Sequence, residues 1–123
     1  MADDKKKLLI IDDEEAVAEI LEAFLEDDFD CTVTFGGEEA IELLSNNTYN
    51  LVITDLEMPR VTGFDIINHI QTLDEKPVVL ISTGHGEEDP EVKKALDAGA
   101  HGAIVKPFND TEMLIEKLHS YLS

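Results

Sequence analysis

A chain of 123 residues has room for one packed domain and is too short for two. Its 28 acidic and 9 basic residues give a formal net charge of −19, which repels nucleic acid and anionic lipid, so we expect no direct binding to either. The one cysteine, Cys31, excludes an internal disulfide, and no apolar run approaches the roughly 20 residues that span a bilayer. Since the N-terminus also lacks a signal-peptide pattern, we expect a soluble, cytoplasmic protein.

The first half of the chain alternates strand and helix twice. After a polar lead-in over residues 1–6, which we expect to be flexible, the apolar run 8–11 predicts a strand buried on both faces. An amphipathic helix follows, and then a second strand over residues 31–35 in which Cys31 is either an inert buried thiol or a reactive one. A short second helix ends at Asn46-Asn47. The predicted inner faces of these helices are Val17, Ile20, Leu21, Phe24 and Leu25 in the first, and Ala40, Ile41 and Leu44 in the second.

The second half repeats the pattern three times. Residues 51–55 form the third predicted strand, which Pro59 prevents from continuing, and Gly63 precedes a third helix. Residues 77–83 and 102–105 predict the last two strands. Pro90 suits the first turn of the helix between them, and the final helix begins near Asp110 or Thr111. The predicted inner faces are Phe64, Ile67 and Ile70; Val92, Ala95 and Leu96; and Leu114, Leu118, Tyr121 and Leu122.

Five alternations of strand and helix, joined by right-handed crossovers, predict an α/β fold. The expected architecture is a doubly wound, five-stranded parallel sheet in a three-layer α/β/α sandwich. No linker, repeat or low-complexity segment divides it, so one domain covers residues 1–123. In the strand order 2-1-3-4-5 the first and third strands are neighbours, and ligands bind at the carboxyl ends of such strands.

Three carboxylates stand at strand ends: Asp12 and Asp13 after the first strand, and Asp55 at the end of the third. If the strands are neighbours, the acids converge, and two carboxylates about 4 Å apart repel by roughly 4 kcal/mol at an effective dielectric near 20. A cation or shared protons must relieve that repulsion. An all-oxygen ligand set favours a hard ion, and Mg²⁺ fits. Taken singly, Asp12-Asp13 also suits a helix cap and Asp55 a turn.

Lys106 ends the fifth strand at the same edge of the sheet, where its ammonium group can reach an oxygen bound to Asp55. The bond between Lys106 and Pro107 is a candidate for a cis peptide, because X-Pro bonds have only a small trans preference. Thr83 or Ser82, at the end of the fourth strand, supplies a hydroxyl. Metal, ammonium and hydroxyl suit the charge on a transferring phosphoryl group, and a carboxylate nucleophile yields an aspartyl phosphate.

In these features the chain resembles the receiver domain of two-component response regulators over essentially its whole length. The matching pieces are Ile11-Asp12-Asp13-Glu14, Asp55-Leu56-Glu57-Met58-Pro59 with Gly63, Thr83-Gly84, and Lys106-Pro107-Phe108. The resemblance implies a flavodoxin-like, chemotaxis-type fold and a phosphoprotein of phosphorelay signal transduction. It implies that Asp55 accepts a phosphoryl group from the phosphohistidine of a histidine kinase, and that the domain switches conformation when it does.

The resemblance also implies roles for individual residues. Mg²⁺ is bound by Asp13, Asp55 and the backbone carbonyl of Glu57, with Asp12 acting mainly through bound water, while Lys106 and the hydroxyl of the fourth strand contact the phosphoryl oxygens. The pair Thr83-Gly84 favours Thr83 for that hydroxyl, whereas counting from Pro77 gives Ser82 as the alternative. The Glu57 side chain either points to solvent or borders the site.

One departure from the family pattern concerns the relay of the signal. Ala103 stands where the family has its switch aromatic. Because alanine has no ring to rotate inward, loop and backbone movement must carry more of the signal in this chain.

The implied partners are a sensor histidine kinase or phosphotransfer protein, a downstream protein or output domain contacting helix 4, strand 5 and helix 5, and a second copy in a homodimer. The chain is expected to promote its own phosphorylation and dephosphorylation rather than act as an enzyme, either alone or as one module of a longer regulator or hybrid kinase. Two rivals stay open. A haloacid-dehalogenase-like phosphatase normally has a second acid two residues after the nucleophile, and Glu57 occupies that place with a side chain one methylene too long. A flavodoxin-like cofactor carrier needs a phosphate-binding loop after the first strand, where Asp12 and Asp13 stand instead.

Overall fold

The computed structural model describes residues 5–84, 86, 88–106, 108 and 110–122. Strands and helices alternate through the described chain as the sequence predicts. In order they are β1 (Lys6–Ile11), α1 (Glu15–Leu25), β2 (Phe29–Thr34), α2 (Gly37–Asn46), β3 (Leu51–Asp55), α3 (Gly63–Ile70), β4 (Val78–Thr83), α4 (Pro90–Ala98), β5 (Gly102–Val105) and α5 (Thr111–Leu122).

The five strands form one parallel sheet in the order β2-β1-β3-β4-β5. This confirms the predicted doubly wound topology. The central strand β3 pairs with β1 through Ile11 and Thr54 and with β4 through Asp55 and Ser82. Because parallel strands all end at the same edge, the carboxyl ends of β1, β3, β4 and β5 lie side by side.

Alternate side chains of β3 pack into two separate cores. Leu51 and Ile53 belong to the cluster formed with α1 and α5, whereas Val52 belongs to the cluster formed with α2, α3 and α4. All three side chains are fully buried, and burial of each contributes about 1.5–3 kcal/mol to the folded state. The sheet is therefore covered by helices on both sides, which confirms the three-layer sandwich.

The structure corrects some local predictions. Ile20 is not on the inner face of α1 and is 48% exposed, because that helix buries the narrower stripe Ala18, Leu21 and Leu25. Strand β2 begins at Phe29 and ends at Thr34, so Phe35 lies beyond it and is 39% exposed.

At the amino end of the sheet, β1 begins at Lys6 rather than at the first apolar residue, since backbone pairing with β2 continues past the buried part of the strand. Residues 1–4 of the expected lead-in lie outside the described residues. Over the residues that the structure describes, none of the helices combines enough length with enough apolarity to cross a bilayer.

Two helices begin at the carboxyl edge of the sheet with defined caps. Thr62 and Asp65 form a reciprocal capping box at the start of α3, and Asp89 caps α4 by accepting a hydrogen bond of 2.8 Å from the backbone N–H of Glu91. Pro90 occupies the first turn of α4, as predicted. These caps hold the loops that follow β3 and β4 close to the ends of their strands.

Candidate functional site

Three carboxylates converge where β1 and β3 end. Asp12 and Asp13 follow β1, Asp55 is the last residue of β3, and one carboxylate oxygen from each lies within 4.8 Å of the others. At that separation each pair repels by roughly 3 kcal/mol at an effective dielectric near 20. The cluster is the one that the sequence predicts, and its acids differ in exposure: Asp12 is buried, Asp55 half-buried and Asp13 exposed.

Asp12 is positioned by two hydrogen bonds. Its backbone N–H donates to the Thr34 carbonyl at 3.2 Å, and its Oδ1 accepts from the backbone N–H of Glu14 at 2.9 Å. Its Oδ2 is buried and has no hydrogen-bond partner among the described residues. Burial raises the pKa of Asp12, while the hydrogen bond from Glu14 and the charge of Lys106 act in the opposite direction.

Asp55 is positioned by the loop that follows it. Its Oδ1 accepts from the backbone N–H of Glu57 at 3.2 Å, and the backbone N–H of Gly63 donates to the Leu56 carbonyl at 3.0 Å. A Cβ on Gly63 would lie 2.4 Å from the Asp55 carbonyl oxygen, so only glycine permits this approach. Arg60, in the same loop, adopts the left-handed conformation with φ 66°. The loop therefore folds back tightly under the carboxylate.

Lys106 places one ammonium group between two of the acids. Its Nζ lies 3.5 Å from Asp12 Oδ2 and 3.6 Å from Asp55 Oδ2, and its side chain is 22% exposed. Its backbone N–H donates to the Thr83 carbonyl at 2.7 Å, which ties the end of β5 to the end of β4. A single ammonium opposite three carboxylates leaves the cluster with an excess of negative charge.

Both candidate hydroxyl residues at the end of β4 line the same cavity as Asp55. Ser82 is the register partner of Asp55, and its Oγ is buried without a hydrogen-bond partner among the described residues. Thr83 is also buried, at 9% exposure. Two hydroxyl groups therefore lie at this edge of the sheet.

The site opens into a cavity of about 510 Å³. The Glu57 side chain is exposed and also belongs to the lining. It can therefore both point to solvent and border the site. The lining also contains Glu14, Phe64, Asp89 and Glu91, which were not predicted to lie at the site. The predicted helix start at Pro90 was a usable signal for Asp89 and Glu91, because helices that follow parallel strands begin at this edge.

One of two further predicted features falls within the described residues. Pro107, the candidate for a cis peptide bond, lies outside the described residues. Ala103 is 1% exposed and packs in the core beside α4. Its carbonyl accepts a hydrogen bond of 2.6 Å from Lys117 Nζ, so α5 contacts β5 at this position.

The donor set of the cluster fits a hard divalent cation. All the side-chain donors are carboxylate oxygens, which Mg²⁺ prefers, and Asp12 Oδ2 is a buried oxygen approached by the Lys106 ammonium at 3.5 Å. Asp12, Asp13 and Asp55 are therefore the residues that can hold such an ion.

The chain matches the family model of the response regulator receiver domain over residues 8–119. It is 32% identical over 117 residues to the response regulator ArlR of Staphylococcus saprophyticus, an alignment that covers 94% of this chain and 52% of that protein. The chain spans about half the length of the curated relatives it matches.

Solved structures share the fold. The chemotaxis response regulator CheY4 of Vibrio cholerae is 27% identical, with a TM-score of 0.85 over 96% of this chain and 99% of that one. The receiver domain of the sensor histidine kinase PA1611 from Pseudomonas aeruginosa has a magnesium ion in its active-site cleft. It is 18% identical, with a TM-score of 0.85 over 96% of this chain and 98% of that one, a similarity that concerns the fold alone.

Proposed function

The chain belongs to the response regulator receiver domain family, and on that premise we propose that Asp55 accepts a phosphoryl group from the phosphohistidine of a partner and thereby switches the conformation of the domain. The observation that carries this proposal is the position of Asp55: its carboxylate lies 3.6 Å from the Lys106 ammonium and beside two other acids, in the lining of a cavity. The family match leaves the haloacid-dehalogenase-like alternative without support.

In the proposed reaction an Asp55 carboxylate oxygen attacks phosphorus, the P–N bond of the phosphohistidine breaks, and the electron pair leaves with the imidazole nitrogen. Lys106 donates to a phosphoryl oxygen and orients it, which its present place between Asp12 and Asp55 supports. Bound Mg²⁺ supplies positive charge to the phosphoryl oxygens. We assign its binding to Asp12, Asp13, Asp55 and the backbone carbonyl of Glu57, with Asp12 acting mainly through water.

We assign Thr83 as the hydroxyl that donates to the phosphoryl group, with Ser82 as the alternative. The family pattern Thr83-Gly84 supports the first assignment. The register of Asp55 with Ser82 and the buried, unpartnered Ser82 Oγ support the second. Both residues line the cavity, so the choice between them is an experimental one.

We further propose that residues 1–123 act as a single cytoplasmic receiver domain, which promotes its own phosphorylation and dephosphorylation and turns over no separate substrate. The donor is a sensor histidine kinase or a phosphotransfer protein. The surface of α4, β5 and α5 contacts the downstream partner or output domain, or a second copy in a homodimer. Val105 and Met113, which are 48% and 66% exposed on that surface, support this assignment.

Intact-mass spectrometry after incubation with acetyl phosphate and Mg²⁺ tests the central proposal. The protein should gain the mass of one phosphoryl group, and Asp55→Asn should gain none. Asp97→Asn, which removes an exposed carboxylate from α4, is the matched control and should be labelled normally. Labelling of Asp55→Asn would place the acceptor on another residue.

A further inference from the structure

A phenylalanine in the lining of the Asp55 cavity also packs against α4. Phe64 stands in the first turn of α3, is half-buried, and is the aromatic side chain among the described lining residues. It packs against the core cluster that contains Val92 and Ala95 of α4. One side chain therefore borders both the site of the proposed phosphorylation and a helix of the proposed contact surface.

An ammonium group from α4 lies over the same ring. Lys94 Nζ is 5.7 Å from the centroid of the Phe64 ring, a distance at which a cation is attracted to an aromatic face. Glu91, three residues earlier in α4, lines the cavity, and residues three apart in a helix are neighbours on its surface. Lys94 therefore lies on the side of α4 that borders the cavity. Because its side chain is exposed, the ammonium group can change partners while the helix stays folded.

Phosphorylation would add negative charge to the cavity that Phe64 lines. A carboxylate carries one negative charge, whereas a phosphorylated side chain carries about −1.5 to −2 near neutral pH. Opposite unit charges about 8 Å apart change an equilibrium roughly twofold in water and about thirtyfold at an effective dielectric near 20. An exposed contact between a cation and an aromatic ring favours the bound arrangement by only about twofold to fivefold. The added charge can therefore draw Lys94 away from the ring.

We infer that Phe64 and Lys94 form a relay between Asp55 and α4. In the unphosphorylated domain Lys94 lies on the Phe64 ring, and in the phosphorylated domain it turns from the ring toward the phosphoryl oxygens. Because Lys94 is part of α4, its movement shifts that helix relative to α3. The inference rests on the proposed phosphorylation of Asp55. It gives this chain, in which Ala103 has no ring, a different aromatic side chain beside the cavity to carry the signal.

The first test follows the position of Lys94 by NMR in the full chain with Mg²⁺. The Phe64 ring should shift the resonances of the Lys94 Hε protons upfield, and Phe64→Leu should remove that shift. Beryllofluoride, a mimic of the phosphoryl group, should move the Lys94 resonances of the unmutated protein most of the way to their values in Phe64→Leu. The resonances of Lys93, the adjacent exposed lysine, should stay nearly unchanged. Unchanged Lys94 resonances in protein that has bound beryllofluoride overturn the inference.

The second test compares two variants that change the net charge equally. Lys94→Met removes the ammonium group and keeps an unbranched apolar side chain, and Lys93→Met does the same one position earlier in α4. Lys94→Met should weaken the binding of beryllofluoride at saturating Mg²⁺ about fivefold, and Lys93→Met by less than twofold, in isothermal titration calorimetry. The amide shifts that beryllofluoride causes in α4 should become clearly smaller in Lys94→Met and persist in Lys93→Met. Equal effects of the two variants overturn the relay.

The outcomes separate the inference from the function on which it rests. If acetyl phosphate labels Asp55 but beryllofluoride leaves Lys94 on the ring, the relay is overturned and the phosphoacceptor stays intact. If acetyl phosphate does not label Asp55, the phosphoacceptor itself is overturned, and the inference with it.

Discussion

Ser82 is the register partner of Asp55 across β3 and β4, and its hydroxyl oxygen is buried without a hydrogen-bond partner among the described residues. Paired residues of neighbouring strands point to the same face of a sheet. A buried hydroxyl without a partner costs about 1–3 kcal/mol relative to one that is satisfied. These features make the Ser82 hydroxyl a candidate donor to an oxygen that arrives on Asp55, beside Thr83.

Ser82→Ala and Thr83→Val therefore separate the two candidate hydroxyls. Ser82→Ala should leave the free energy of unfolding unchanged or raise it by up to about 1 kcal/mol, because it removes an unsatisfied group. The variant that removes the true donor should slow labelling by acetyl phosphate about 10-fold to 100-fold. The measurements are urea unfolding and the rate of mass gain, and normal rates in both variants would show that neither hydroxyl contributes.

Divalent cations should stabilise the protein, because they relieve the repulsion among Asp12, Asp13 and Asp55. At a Mg²⁺ concentration ten times its Kd, the free energy of unfolding should rise by about 1.4 kcal/mol, and chelation should remove this gain. Asp13→Asn should lose most of this gain while folding normally, since Asp13 is exposed. Thermal unfolding with and without Mg²⁺ checks the difference. Asp28→Asn, an exposed acid outside the cluster, is the control, and equal Mg²⁺ effects in the two variants would contradict the site.

Gly63→Ala should disturb the loop beneath Asp55. The added Cβ would lie 2.4 Å from the Asp55 carbonyl oxygen and 2.7 Å from Leu56 Cα, so the backbone must move at a cost of about 1–3 kcal/mol. We expect a lower midpoint of unfolding and weaker Mg²⁺ binding. Gly86→Ala adds a Cβ with no atom of the described residues within 4 Å and should leave both properties nearly unchanged, whereas equal losses in the two variants would refute the packing argument.

Cys31 should be an inert thiol. The pKa of Cys31 is raised to about 12. Burial is the largest cause, and the negative charges of Glu22, Asp30 and Glu26 act in the same direction. Because the thiolate is the reactive form, alkylation by iodoacetamide at pH 8 should be at least about a hundredfold slower in the folded protein than in urea, where the pKa returns to about 8.5. Similar rates in the two conditions would show that the thiol is accessible and ionised.

The sequence alone determined the order of the elements and most of the inner site. The spacing of apolar residues that distinguishes strands from helices can be recognised within short stretches of sequence. Strands β1 and β3 appear as continuous apolar runs because a parallel sheet is buried on both faces. Asp12, Asp13 and Asp55 could be predicted to converge because each stands at a strand end. The ends of parallel strands share one edge once the strand order is assumed.

Only the tertiary structure decided what depends on distances between separate elements. The exposure of Ile20 follows from which stripe of α1 is buried, and the pairing of Ser82 with Asp55 follows from the register of β4 on β3. The start of α4 could be predicted from Pro90, but only the packed structure shows that Glu14, Asp89 and Glu91 line one cavity. The periodicity of apolar side chains indicates which face of a helix or strand is buried. The contacts across that face form only when the helices pack against the sheet.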